Sequence, residues 1–221
     1  MMTFPKQLLR GYRSFTTQRL PTEQTRYREL SIKGQSPEVM VIGCCDSRVS
    51  PEVIFDAGPG ELFVVRNIAN LVPVYRPDSG AHAVSAAVEF AVNVLRIKHM
   101  VVLGHAQCGG IRAFVDRIEP LSPGDFIGHW MNHLSKPGEV VEPLVHETRQ
   151  QFIVRIEKAA VFRSLENLMT FPFVRSAVEQ GELTLHGAYF GVAEGDLYVL
   201  DKTTKEFRLA TEMDEYPSVC R

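Results

Sequence analysis

No apolar run in the 221-residue chain approaches the roughly 20 residues a membrane helix needs; the longest are short stretches such as Met100 to Leu103 and Glu38 to Cys45. This excludes a span across a bilayer. An excess of one charge is missing too: 24 basic residues stand against 26 acidic ones, a formal charge of −2, without the basic surplus that phosphate backbones select. Nucleic acid is not expected as a partner. Cysteine is scarce, with four residues at positions 44, 45, 108 and 220 and no even spacing of the kind that staples a small secreted scaffold. A reducing, cytoplasmic setting is expected. The chain also lacks an internal repeat, a low-complexity segment and a Pro/Gly/Ser-rich linker. No G-x-G-x-x-G follows a strand-like run and there is no Walker A sequence, which removes the common nucleotide-binding enzymes.

What is present is ordinary globular composition, 45% hydrophobic and 23% charged. At this length a chain buries roughly 70% of its unfolded surface and carries its own core. The basic amino end, MMTFPKQLLRGYRSF, has no apolar core or cleavage site of a secretory signal; its charge fits a transit peptide, but the pattern reads better as an amphipathic helix. Residues 5 to 29 are polar with scattered Leu8, Leu9, Tyr12, Phe15 and Tyr27, and Leu20–Pro21 predicts a break into two helices. Residues 1–33 are therefore set apart as an amino-terminal helical arm and 34–221 as the main domain.

Glu38–Cys45, Glu61–Val65 and His99–Gly104 are β-branched runs bounded by Gly, Pro or charge, as strands buried on both faces should be. A helical pattern over Ala81 to Leu95 separates the last two, which makes a parallel crossover. Further helices are expected over Gly124 to Leu134, Pro143 to Leu168 and Phe173 to Glu179. Two closing strands are expected over Leu183 to Tyr189 and Asp196 to Leu200.

Two of the predicted strands end in chemistry. Cys44-Cys45-Asp46-Ser47-Arg48 follows the first, and His105-Ala106-Gln107-Cys108-Gly109-Gly110 follows the third. Ligands bind beyond the carboxyl ends of parallel strands, where loops from one sheet converge. Two thiolates and an imidazole suit zinc, and a site with three protein ligands keeps a position for water, as catalytic zinc does. Cys44, His105 and Cys108 are that set. Alternation turns Cys45 to the other side of the strand, where it should be packed rather than ligating. Cys220 reads as an incidental thiol.

The Cys-x-Asp-Ser-Arg and His-x-x-Cys-Gly-Gly pair resembles the signature of the β-class carbonic anhydrases. GQSP at residues 34–37, PGELFVVRNIANLVP at 59–73 and SLENLMTFPFVR at 164–175 resemble the plant-type branch of that family. The resemblance implies an α/β fold, a mostly parallel central sheet flanked by helices, with the arm packed on a neighbouring subunit of a homodimer or larger homo-oligomer. It also implies one Zn2+ per subunit and reversible hydration of carbon dioxide to bicarbonate and a proton by attack of zinc-bound hydroxide. Zinc with two thiolates is formally neutral, so help from neighbouring groups is needed. In that role Asp46 accepts the hydroxide proton and Arg48 orients Asp46 through a forked contact. Asp46 could instead become a fourth ligand in a closed state; the open state is favoured here. From the family, Gln35 matches a bicarbonate-binding glutamine, Phe63 and Ile68 match apolar pocket positions, and Gly109 could offer its N–H to a substrate oxygen.

Departures from the pattern also matter. Phe90 stands where a pocket tyrosine is common, so a hydroxyl is missing. Arg66 resembles a residue of the bicarbonate regulatory site in bacterial relatives, but Val41 and Phe190 replace its Trp and Tyr, so no such site is expected. The rival readings are a carbon disulfide or carbonyl sulfide hydrolase on the same fold, and a non-catalytic zinc-binding protein. Retention of Asp46 and Arg48 argues against the second.

Overall fold

Strand β1 (Val39–Cys44) shows no alternation of polarity because both its faces are covered; all but its first residue are buried. The computed structural model describes residues 4–78, 80, 82–116, 124–135 and 142–213. Within them β1, β2 (Leu62–Asn67), β3 (His99–His105), β4 (Thr184–Phe190), β5 (Leu197–Leu200) and β6 (Phe207–Leu209) form one sheet in the order β2-β1-β3-β4-β5-β6. The first four strands are parallel and the last two join antiparallel. The expected α/β class is the observed one. The six-stranded order adds β6, which sequence reading missed because three residues carry too little pattern.

Helices α1 (Lys6–Ser14) and α2 (Leu20–Lys33) are joined by a π-helical turn over Phe15–Arg19. The predicted break at Leu20–Pro21 is therefore corrected: Pro21 lies in the first turn of α2, where a missing N–H costs little, and the Leu20 N–H reaches back to the Phe15 carbonyl. No residue of this helical stretch is buried, and Leu8, Leu9, Tyr12 and Ile32 are exposed. The short helix α3 (Pro51–Ile54) follows β1. The predicted helix from Ala81 is α4 (Ala83–Glu89) continued by a second π-helical turn, Phe90–Leu95, and stopped by left-handed Arg96; Ala81 lies outside the described residues. Helix α5 (Gly109–Val115) opens at the second candidate loop. The next predicted helix shortens to α6 (Phe126–Met131) and a 3-10 turn to Leu134, after left-handed Asp125.

Helix α7 (Arg149–Leu168) starts later than Pro143, because Thr148 and Gln151 form a capping box there. Helix α8 (Pro172–Glu179) completes the layer. Met40, Ile42, Met100, Val102, Val161, Phe171 and Val174 form the core under α4, α7 and α8. On the opposite face Val41, Leu103 and Ala188 are buried, but Val39, Leu62, Val64 and Val101 are only partly so. No helix among the described residues is long and apolar enough to cross a membrane.

Close approach of α7 depends on two glycines. A Cβ at Gly104 would lie 2.6 Å from Val161 Cγ2, and one at Gly187 would lie 2.9 Å from Val161 Cγ1. Val161 is β-branched and held in one rotamer by its helix, so it has little room to yield. Gly104→Ala is expected to destabilise the fold by about 1–3 kcal/mol, read as a lower midpoint in urea at unchanged slope. A midpoint equal to the wild type would refute this close packing.

At the other end of the sheet, His186 Nε2 lies 3.2 Å from His99 Nδ1. Burial, then the positive Lys202 and then His99, lower the His186 pKa from 6.5 to about 4. Between these values the unfolded chain binds the extra proton, so stability falls as pH drops from about 6.5 towards 4. His186→Gln should flatten that slope, by the order of 1 kcal/mol at pH 5 after solvent screening. Equal losses of Tm from pH 7 to pH 5 in variant and wild type would contradict it.

Candidate metal centre

Cys44 and His105 are the last residues of β1 and β3, which lie side by side in the sheet. Cys108 caps the amino end of α5. Their three ligand atoms lie within 4.8 Å of one another, and all three residues are buried. His105 Nδ1 lies 2.8 Å from the Ala106 carbonyl, which can only accept, so the proton resides on Nδ1. Nε2 then carries a lone pair, is buried, and has no partner among the described residues. An orphaned imidazole nitrogen beside two sulfurs fits zinc in both chemistry and number.

The two sulfurs pair with each other, and backbone N–H groups point at both. The thiol of Cys44 is pulled well below its ordinary range, first by a hydrogen bond from Cys108, against burial, and then by His105 and the N–H groups of Asp46 and Ala69. Cys108 is pushed up by the same pairing and by burial.

Arg48 grips Asp46 in a fork: its backbone N and Nε donate to Oδ1 at 3.0 and 2.9 Å, and Nη2 donates to Oδ2 at 2.8 Å. This contact holds the Asp46 carboxyl far below the usual carboxylate range. The same guanidinium donates to the Gln107 carbonyl at 3.0 Å, tying the first loop to the second.

The residues that brace these loops take roles the sequence did not indicate. Arg66 donates to the carbonyls of Cys44 and Asp46 at 2.7 and 2.6 Å, so it braces the first loop. The turn after β2 places Ala69 and Asn70 in left-handed backbone, and the Ala69 N–H reaches Cys44 Sγ at 3.4 Å. Asn67 brackets that turn through Leu71, while Ser164 and Asn167 hold Asn70 and Val72 from α7. Glu157 and Tyr189 lie behind Cys108. An acid inside the apolar stripe Ile153, Ile156, Ala160 and Val161 was the available signal for Glu157.

Of the predicted substrate residues, Ile68 and Gly109 adjoin Ala69 and Cys108 at the donors, whereas Gln35 precedes β1 and Phe63 pairs with Met40 further along the sheet. Gln35 is exposed between α2 and β1. Phe63 is partly buried in the core beneath α4, its ring 5.9 Å from that of Phe90. Ile68 is partly exposed and its Cγ2 lies against Gly110, whereas nothing stands within 4 Å of a Cβ at Gly109. Cys45 is exposed, contrary to the expected packing: it follows the last strand residue, so strand alternation no longer directs it. Cys220 lies outside the described residues.

Three buried donors at the carboxyl ends of adjacent parallel strands, with an oriented carboxylate beside them, define a candidate metal site on an α/β fold. A family model described as carbonic anhydrase matches residues 39–197. The chain is 38% identical over 171 residues to β carbonic anhydrase 5, chloroplastic, of Arabidopsis thaliana, covering 76% of this chain and 55% of the relative. It therefore spans little more than half the length of that relative. Among solved structures it is similar to the β-carbonic anhydrase CcaA, with a TM-score of 0.82 and 26% identity, over 92% of this chain and 91% of that one. A second similar structure comes from two tetrameric β-carbonic anhydrases of Sordaria macrospora, with a TM-score of 0.76 and 28% identity, over 88% and 95% of the chains. The chain belongs to the β-class carbonic anhydrases, a family of carbonate dehydratases.

Proposed function

We propose that the chain catalyses the reversible hydration of carbon dioxide to bicarbonate and a proton, using one Zn2+ per subunit held by Cys44, His105 and Cys108. The observation that carries this reading is the unpartnered, buried His105 Nε2 facing two sulfurs beside the Asp46–Arg48 fork. When bound, zinc lowers the pKa of coordinated water to about 7 and supplies the nucleophile.

The protein's own groups do the rest. Asp46 Oδ1 already takes two hydrogen bonds from Arg48 and Oδ2 only one, so Oδ2 keeps a free lone pair that accepts a hydrogen bond from the nucleophile and orients it. Pairing to Arg48 supports an open state in which Asp46 is not a ligand. X-ray absorption at the metal edge finding a carboxylate ligand throughout the active pH range would contradict that state. Gly109 offers an N–H beside open space, Gln35 binds bicarbonate, and Phe63 and Ile68 give apolar surface to a substrate without a dipole. The arm of residues 1–33, with no buried residue among those described, packs on a neighbouring subunit of a homodimer or larger assembly; the tetramers named for Sordaria macrospora support this. The enzyme acts in the cytoplasm.

Stopped-flow hydration of carbon dioxide tests the proposal. The zinc-replete protein should be active, lose activity on exhaustive chelation and regain it with zinc. Rate enhancement that survives with no transition metal found by elemental analysis would overturn it.

A further inference from the structure

The glycines that let α7 close on the sheet also bring one of its side chains into the second metal loop. Glu157 lies one helical turn before Val161, on the face that meets Gly104 and Gly187. It is only 2% exposed. A buried carboxylate needs donors, and Glu157 has one for each oxygen. Its Oε1 accepts the Cys108 backbone N–H at 2.9 Å, and its Oε2 accepts the Tyr189 hydroxyl at 2.7 Å. Tyr189 belongs to β4 and is itself buried, its ring packed near those of Tyr198 and Phe207. Cys108 precedes the first turn of α5, so no helical carbonyl is available to its N–H. The carboxylate is the partner that this donor has.

We propose that Glu157, braced by Tyr189, is a positioning residue for Cys108: it holds the backbone of the second loop so that the Cys108 sulfur faces Cys44 and His105. The inference rests on the reading of Cys108 as a metal ligand. Glu157 acts through Cys108, not on substrate. Without it the Cys108 N–H is left buried and unpaired, and the loop turns to recover a partner, carrying the sulfur with it.

Glu157→Gln keeps the shape but replaces a charged acceptor by a neutral one. Groups that orient metal ligands typically change affinity 10–100-fold, so zinc transfer to a chromogenic chelator is expected to quicken by about 10–100-fold. In cobalt-substituted protein the thiolate-to-metal charge-transfer band should shift. Tyr189→Phe, which spares the bond to Cys108, should give a smaller change in both readings and serves if Glu157→Gln does not fold. Wild-type release rates and an unmoved cobalt band in the variants, whatever happens to their Tm, would overturn the inference. A wild type that shows no thiolate band with cobalt would overturn the metal-site reading itself, and that result is distinct.

Discussion

Replacing Asp46 by Asn is expected to lower kcat/KM for carbon dioxide hydration by about 10²–10³-fold, the scale of losing one preorganised hydrogen bond at the reacting group, while zinc content stays near one per chain. The reason lies in the fork. Arg48 presents only donors, three of them, to the two carboxylate oxygens. An amide has one oxygen and one NH2, so at least one contact becomes donor against donor and the side chain turns. The acceptor at Oδ2 is then lost or misdirected, and the charge that drew the guanidinium is gone. Cys44, His105 and Cys108 are untouched by the change. Stopped-flow rates and elemental analysis on the same sample decide the matter. Zinc and activity lost in equal proportion would show that Asp46 holds the metal rather than orients the nucleophile.

Removing a ligand should do more. His105→Ala leaves two sulfurs, too few to retain zinc in competition with a chelator, and the hydration rate should fall by at least ~10³-fold, since the water pKa returns from about 7 towards its bulk value of 15.7. His105 is only 1% exposed, so its loss also opens a void and lowers stability. Cys108→Ser separates the two effects: it preserves volume within one atom but exchanges a soft thiolate for a weakly ligating hydroxyl. Both variants should be inactive and zinc-poor, and only His105→Ala should show a large fall in Tm. Zinc retained at one per chain by either would refute the assignment of that residue.

The central strands were legible because β1, β2 and β3 are continuous apolar runs that no other element could use. The loops were legible because metal ligands are rare residue types at fixed spacing, as Cys44 and His105-x-x-Cys108 are. Boundaries were less so. Pro21 reads as a breaker, but a π-helical turn lets the helix resume around it. Thr148, rather than Pro143, starts α7 because side-chain capping outweighs a proline that lies too early. The residues that hold the site together were hidden for a different reason. Arg66, Ser164, Asn167 and Glu157 act across separations of 20 to 95 positions, through bonds to backbone atoms that no local pattern encodes. Gln35 and Phe63 were named by resemblance, and the single chain does not gather them at the three donors.

Two consecutive residues other than glycine, Ala69 and Asn70, have φ of 62° and 49°. Such conformations cost on the order of 1–3 kcal/mol each unless the surroundings impose them. Here the gain is one amide aimed at the Cys44 sulfur. A chain relaxed at this corner would be more robust to heat and poorer at keeping its thiolate charged, so resilience and reactivity are set against each other within a single bend.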